Sequence, residues 1–206
     1  MGLVELFNDG GEFMWPILIL LIFGLVIVIE RSISLLRASV NTRKFLTDVK
    51  SGLKEGGLDA ALEKCESTTG PVAAIVHAGL SRANKGLDAV EKAITNAGSL
   101  EMSFLEKGMI WLSTIIVLAP MLGFTGTVAG MIEAFKEIAV QNDISPAIVA
   151  GGISKALLTT AFGLIVAMII QFFNNIFVNK IDKLIIDMEE SSVELIDYLV
   201  ELTEKK

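Results

Sequence analysis

Long apolar runs dominate the hydropathy pattern. The run from Met109 to Ile132, MIWLSTIIVLAPMLGFTGTVAGMI, holds no charged residue. As a helix it spans about 36 Å, more than the hydrocarbon core of a bilayer requires. A second run, Ala150 to Val178, is continuously apolar only from Ala161 to Ile170, and its polar residues recur at helical spacing. Phe13 to Ile29 is also free of charge, with Trp15 at a position that suits a membrane interface. The pattern predicts an all-α integral membrane protein with three transmembrane helices, whose long helices extend into a cytoplasmic helical bundle.

At 100° per residue, Thr160, Gly163, Ala167, Gln171 and Asn174 fall in one narrow arc. Phe162, Ile165, Met168, Ile169 and Phe172 cover much of the rest. In the partner run, Ser113, Pro120 and Thr127 recur every seven residues, and Gly123, Gly126, Thr127 and Gly130 form a smooth neighbouring strip where another helix can come close. Two readings follow. The small and polar faces serve ordinary helix packing, or together they line a narrow wetted pathway with Thr127 and Thr160 inside it. Hydroxyls relay hydrogen bonds but do not titrate near neutral pH.

Outside these runs the pattern is amphipathic. Leu3, Val4, Leu6 and Phe7 form a turn or two before Asn8-Asp9-Gly10-Gly11. The first membrane helix continues past Glu30 and Arg31 to about Ala38, and those two charges read as anchors at the cytoplasmic boundary. From Asn41 to Lys107 charges alternate and apolar residues such as Phe45, Leu46, Val49 and Leu53 recur at helical spacing, which predicts short helices. Thr69-Gly70-Pro71 is a helix start, with proline where its missing N–H does no harm. A later helix from about Leu87 is expected to run on into the second membrane span, with Gly98 and Gly108 as weak points. Asn142 to Pro146 reads as a turn and helix start. Ile181, Ile185, Met188, Ser192, Leu195, Leu199 and Leu202 make a seam for packing on cytoplasmic helices. The expected division is 1–12 external amphipathic segment, 13–37 first span, 38–107 cytoplasmic helices, 108–133 second span, 134–146 external connection, 147–178 third span and 179–206 cytoplasmic C-terminal helix.

Composition agrees: 52% of the 206 residues are hydrophobic and the mean hydropathy is +0.64. The net charge of -7 argues against a nucleic-acid binder. Residues 31–107 hold eleven of the 17 basic residues, whereas the first twelve residues hold none. The positive-inside rule therefore predicts an external amino terminus and a cytoplasmic loop and carboxy terminus. A cleaved signal peptide is not expected, since the start is not basic. Cys65 is the only cysteine and reads as a reduced buried thiol; His77, the only histidine, reads as a packing residue. No metal site, cofactor or enzymatic constellation is expected, and the phosphate-loop motif is missing.

The run APMLGFTGTVAGMIEAF, followed by GGISKALLTTAFGLIVA, closely resembles the core membrane segments of the ExbB/TolQ/MotA proton-channel family. Pro120, Gly123, Gly126, Thr127, Val128 and Gly130 match its first half; Gly152, Ile153, Ala156, Leu157, Thr160, Ala161 and Gly163 match its second. Weaker matches lie in MWPILIL, Glu30-Arg31 and GPVAAIVHAGL. Three spans point to the ExbB/TolQ type, because motility stators of the MotA kind usually have four. The resemblance implies a bacterial inner-membrane homopentamer enclosing the single transmembrane helices of an ExbD/TolR-like partner, whose membrane aspartate carries the proton. It further implies a TonB/TolA-like protein that receives the work, for outer-membrane transport or envelope maintenance. Lys155 departs from the family, which usually has a glutamate there. It either snorkels to the outer headgroups or makes an interhelical contact, with Glu133 a candidate partner. A non-conducting membrane scaffold is the rival function.

Overall fold

The computed structural model describes residues 2–141 and 146–204. Among these residues eight α-helices follow in order: α1 (Leu3–Asp9), α2 (Met14–Ala38), α3 (Thr42–Glu55), α4 (Gly57–Glu66), α5 (Pro71–Leu80), α6 (Leu87–Glu106), α7 (Met109–Gln141) and α8 (Pro146–Glu204). A single 3₁₀ turn, Ala83–Lys85, joins α5 to α6. The all-α expectation holds among the described residues, and three helices are long and apolar enough to cross a membrane. The expected turn at Asn142 to Ser145 lies outside the described residues. Helix α7 continues past Ile132 as far as Gln141.

The chain forms two compact units, Met1–Glu30 with Gly108–Ile176, and Arg31–Lys107 with Phe177–Lys206. In the first, apolar unit, α2, α7 and α8 bury Ile17, Leu112, Ile115, Val166 and Ile170. Gly24 permits their approach, because a Cβ there would meet the side chains of Ile170 and Ile115. The outward surface is also apolar: Ile19, Ile22, Val26, Val117, Met121, Phe124, Met168 and Phe172 are all exposed. An outer surface of that kind is stable against lipid, not water. The exposed ring of Trp15 sits edge-on to Phe7, which ties α1 to the start of α2.

The second, charged unit has a conventional core of Leu35, Leu46, Val49, Ile75, Val76, Leu80, Val90, Leu184 and Leu195. Helix α3 starts where the Asn41 side chain accepts the Lys44 N–H at 3.2 Å. Helix α5 starts at Pro71, after Gly70 at φ 128°. On α8 the buried line is Ile181, Leu184, Met188, Ser191 and Leu195, with Ile185 and Ser192 only half-buried. The seam is therefore turned only about 30° from the expected one, with Ile181, Met188 and Leu195 common to both. Lys50 pairs with Glu194 at 2.6 Å beside it, a contact within the chain.

Two expectations are corrected. Helix α6 does not run on into α7: Lys107 is extended (φ -53°, ψ 128°) and Gly108 takes φ +84°, a conformation that glycine tolerates, while Gly98 stays helical. Arg31 is not a solvated anchor. It is 4% exposed, and its guanidinium donates to the Phe104 and Leu105 carbonyls at 3.3 and 3.4 Å. Those carbonyls close α6, where the helix lacks donors and its dipole favours a cation.

Candidate functional site

In the apolar unit α7 and α8 pack along a seam of small residues. Ala119, Gly123, Gly126, Gly130 and Ala134 on α7 meet Gly163, Thr159, Ala156 and Gly152 on α8. A Cβ on Gly123 would lie 2.9 Å from the Thr159 carbonyl oxygen and 3.0 Å from Thr160 Cα. On Gly163 it would lie 2.5 Å from the Ala119 carbonyl oxygen, and on Gly130 3.2 Å from that of Gly152. Backbone meets backbone here, so the glycines are required by the spacing of the helices. Dispersion and weak polar contacts then act over the shortest distance two helices allow.

The hydroxyls divide between two environments. Thr159, only 1% exposed, donates to the Ala156 carbonyl at 2.8 Å and lies 3.3 Å from the Gly123 carbonyl. Thr160, half-buried, donates to the same Gly123 carbonyl at 3.2 Å. Thr127 instead donates to the Phe124 carbonyl of its own helix at 2.6 Å. Thr127 and Thr160 thus use different acceptors. Thr160 stands at the edge of the hairpin seam, and Thr127 lies with Ser113 and Pro120 on a line about 70° round α7 from that seam. Pro120, inside α7, leaves the Ile116 carbonyl without its usual helical donor.

Thr159 escaped the sequence reading, which chose Thr160 beside it. Small residues at Gly152, Ala156 and Gly163 mark that face in helical steps of three and four, but Thr159 and Thr160 both fit those steps, and only the packing buries Thr159. Further along α8, Gln171 donates to Asn175 at 2.7 Å, and Asn174 Oδ1 is buried without a hydrogen-bond partner. Such an acceptor costs stability unless a donor reaches it.

Lys155 reaches Glu133. The ammonium lies 2.5 Å from Glu133 Oε2, with the lysine side chain 30% exposed and the carboxylate 64%. Gly11, at φ +75°, lies against the lysine stem so closely that a Cβ would overlap Lys155 Cε. The pair borders an open cleft of about 400 Å³ that Glu137, Gly151 and Gly152 also line. In the charged unit, Cys65 is buried and free. Burial first and Glu66 second push its thiol up to about 11. His77 is half-exposed, 3.6 Å from Glu66.

These features define a multi-pass helical membrane protein built on a close-packed hairpin of small residues, with hydroxyls along it and one charge pair near its end. Residues 67–190 match the MotA/TolQ/ExbB proton channel family. The chain belongs to that family. It is 33% identical over 180 residues to a biopolymer transport protein ExbB homolog of Methanothermobacter thermautotrophicus, a match covering 87% of this chain and 64% of that protein. An ExbB-like 1 biopolymer transport protein of Synechocystis is 30% identical over 169 residues, 81% of this chain and 66% of that one. The ExbB of Xanthomonas campestris is 38% identical over 88 residues, 43% and 35% of the two chains. The chain therefore spans slightly less than two thirds of the length of the first two.

Proposed function

We propose that this chain is an inner-membrane proton-channel subunit of the ExbB/TolQ type, coupling ion motive force to work on the cell envelope. The observation that carries the reading is the α7–α8 hairpin. Hydroxyls and an unpartnered amide acceptor lie along it, yet residues 109–132 and 156–179 contain no charged side chain. Hydroxyls cannot store a proton at neutral pH, so the group that titrates has to come from another chain. A single-span helix bearing a membrane carboxylate, as in ExbD/TolR-like proteins, supplies that chemistry.

In this reading five copies surround the partner helices, and Thr127 and Thr160 hydrate the partner's carboxylate. Glycines Gly123, Gly126, Gly130 and Gly163, with Pro120, set the spacing and shape of the wall. The amino terminus faces the periplasm, and the charged unit and carboxy terminus face the cytoplasm. A TonB/TolA-like protein receives the work, in outer-membrane transport or envelope maintenance. The Lys155–Glu133 pair favours conduction over the scaffold alternative, because a lysine neutralised within its own chain is a smaller barrier to a passing cation than a bare one. Coexpression with single-span, aspartate-bearing proteins tests the reading. A stable complex that survives detergent extraction supports it, and failure of every such candidate to copurify opposes it.

A further inference from the structure

The charged unit carries a surface that ion passage does not use. Between α5 and α6 lies an open cleft of about 540 Å³, floored by Ala78, Ala89 and Ala93 and rimmed by Arg82, Lys85 and Lys92. All three cations are exposed, and among the described residues none makes an ion pair. Among the described residues no carboxylate lines the cleft. The nearest acids on α6, Asp88 and Glu91, point about 100° or more round the helix from the face of Ala89, Ala93 and Asn96. The cleft is therefore a cationic trough with a smooth alanine floor.

The same unit presents the complementary surface on α8. Ile186 and Val193 are 53% and 59% exposed. They lie one heptad apart on the face opposite the buried Leu184, Met188 and Leu195. Glu189 and Asp182 flank this line on one side, Glu190 and Asp197 on the other, all exposed. From Asp182 to Glu204 the sequence holds eight acids and one base, Lys183. Two aliphatic side chains between acidic rows match an alanine floor between cations in shape and in sign.

The two surfaces also share a level. A Cβ on Gly79 of α5 would meet Ile94 of α6 at 2.8 Å and Leu195 of α8 at 3.4 Å. The walls of the cleft and the Glu190–Asp197 stretch therefore stand side by side within one copy, facing different ways. Copies inserted in a membrane with one orientation keep that level in common, so the stripe of one copy meets the cleft of the next without a vertical shift. A contact that joins two different surfaces is head-to-tail, the kind that closes into rings.

We propose that neighbouring copies join through this pair, the Ile186–Val193 stripe of one α8 seated in the Arg82/Lys85/Lys92 cleft of the adjacent copy. The proposal rests on the multi-copy assembly put forward above and adds the contact that orders it. The test uses the full chain in a Cys65→Ser background, with Ser81→Cys in the lining of the cleft and Val193→Cys on the stripe joined between copies by a short bis-maleimide, and with copy number read separately by light scattering. The parent chain forms a cross-linked ladder. Lys85→Glu with Lys92→Glu lowers intercopy cross-linking about tenfold, as does Glu189→Lys with Glu190→Lys. All four changes together restore at least half of it, which a misfolded or merely destabilised chain does not do.

Parental cross-linking in both double variants, or no restoration in the fourfold variant, overturns the proposal. If the assembled parent gives no ladder, or the cationic double variant loses only bound anionic lipid, the contact is likewise wrong while the assembly stands. A parent chain that scatters light as a single copy removes the assembly reading as well.

Discussion

The hairpin seam makes a prediction that separates two glycines on one helix. At Gly163 an added Cβ would lie 2.5 Å from the Ala119 carbonyl oxygen, about 0.9 Å inside ordinary contact, and the atom it meets is backbone. Either α7 and α8 separate by that distance over several turns, or the helix distorts. Overpacking of this kind costs about 1–3 kcal/mol. At Gly151, twelve positions earlier on α8, an added Cβ meets nothing within 4 Å, and Ala gains up to about 1 kcal/mol from helix propensity. Gly163→Ala should thus be destabilising, and Gly151→Ala neutral or mildly stabilising. Unfolding in mixed micelles titrated with a denaturing detergent, followed by circular dichroism, gives the difference directly. Equal effects of the two substitutions, or a neutral Gly163→Ala, would refute the close backbone contact.

Other predictions follow from the same geometry. Arg31→Met removes the guanidinium from the Phe104 and Leu105 carbonyls, of which Phe104 keeps the Lys107 N–H, and should cost about 1.5–3 kcal/mol, with Arg31→Lys recovering only part because one ammonium replaces a planar fork; thermal melts of the purified variants check this. Cys65, shifted from 9.0 to about 11, should react with maleimide far more slowly at pH 8 than an exposed thiol. Because the unfolded thiol ionises near its ordinary value and the folded one does not, the contribution of Cys65 to stability should fall as pH rises from about 9 to 11, and Cys65→Ser should lose that slope. Thr127→Val and Thr160→Val keep size and branching, and measured polar contacts between membrane helices average only about 0.6 kcal/mol. Each should assemble at normal yield but show reduced ion-driven activity; unchanged coupling at matched expression would assign both threonines to packing.

The all-α class and the three apolar helices were legible because long runs with no charged residue, the shortest from Phe13 to Ile29, have few other stable solutions in a cell. The helix start at Pro71 was legible too, since proline at a first turn loses nothing. Long-range backbone acceptors were not. Arg31 finds carbonyls 73 and 74 residues away, and no side-chain pattern announces a carbonyl. The break at Lys107-Gly108 was underestimated because glycine is common inside membrane helices, as Gly123, Gly126 and Gly163 are here. Only φ distinguishes a packing glycine from a turning one. Within the hairpin, the small-residue faces and the Glu133 partner of Lys155 could be read from spacing. The choice between Thr159 and Thr160 could not, because neighbours 100° apart share the edge of any broad face.

Proton flux into sealed liposomes tests the central claim most directly. The chain is reconstituted with its copurifying single-span partner, and internal pH is followed under an imposed potential. The account predicts flux above the lipid baseline only when both chains are present, and its loss when the partner's membrane aspartate is replaced by asparagine. Flux that stays at the lipid baseline with the intact complex correctly inserted would contradict it and leave the hairpin a scaffold.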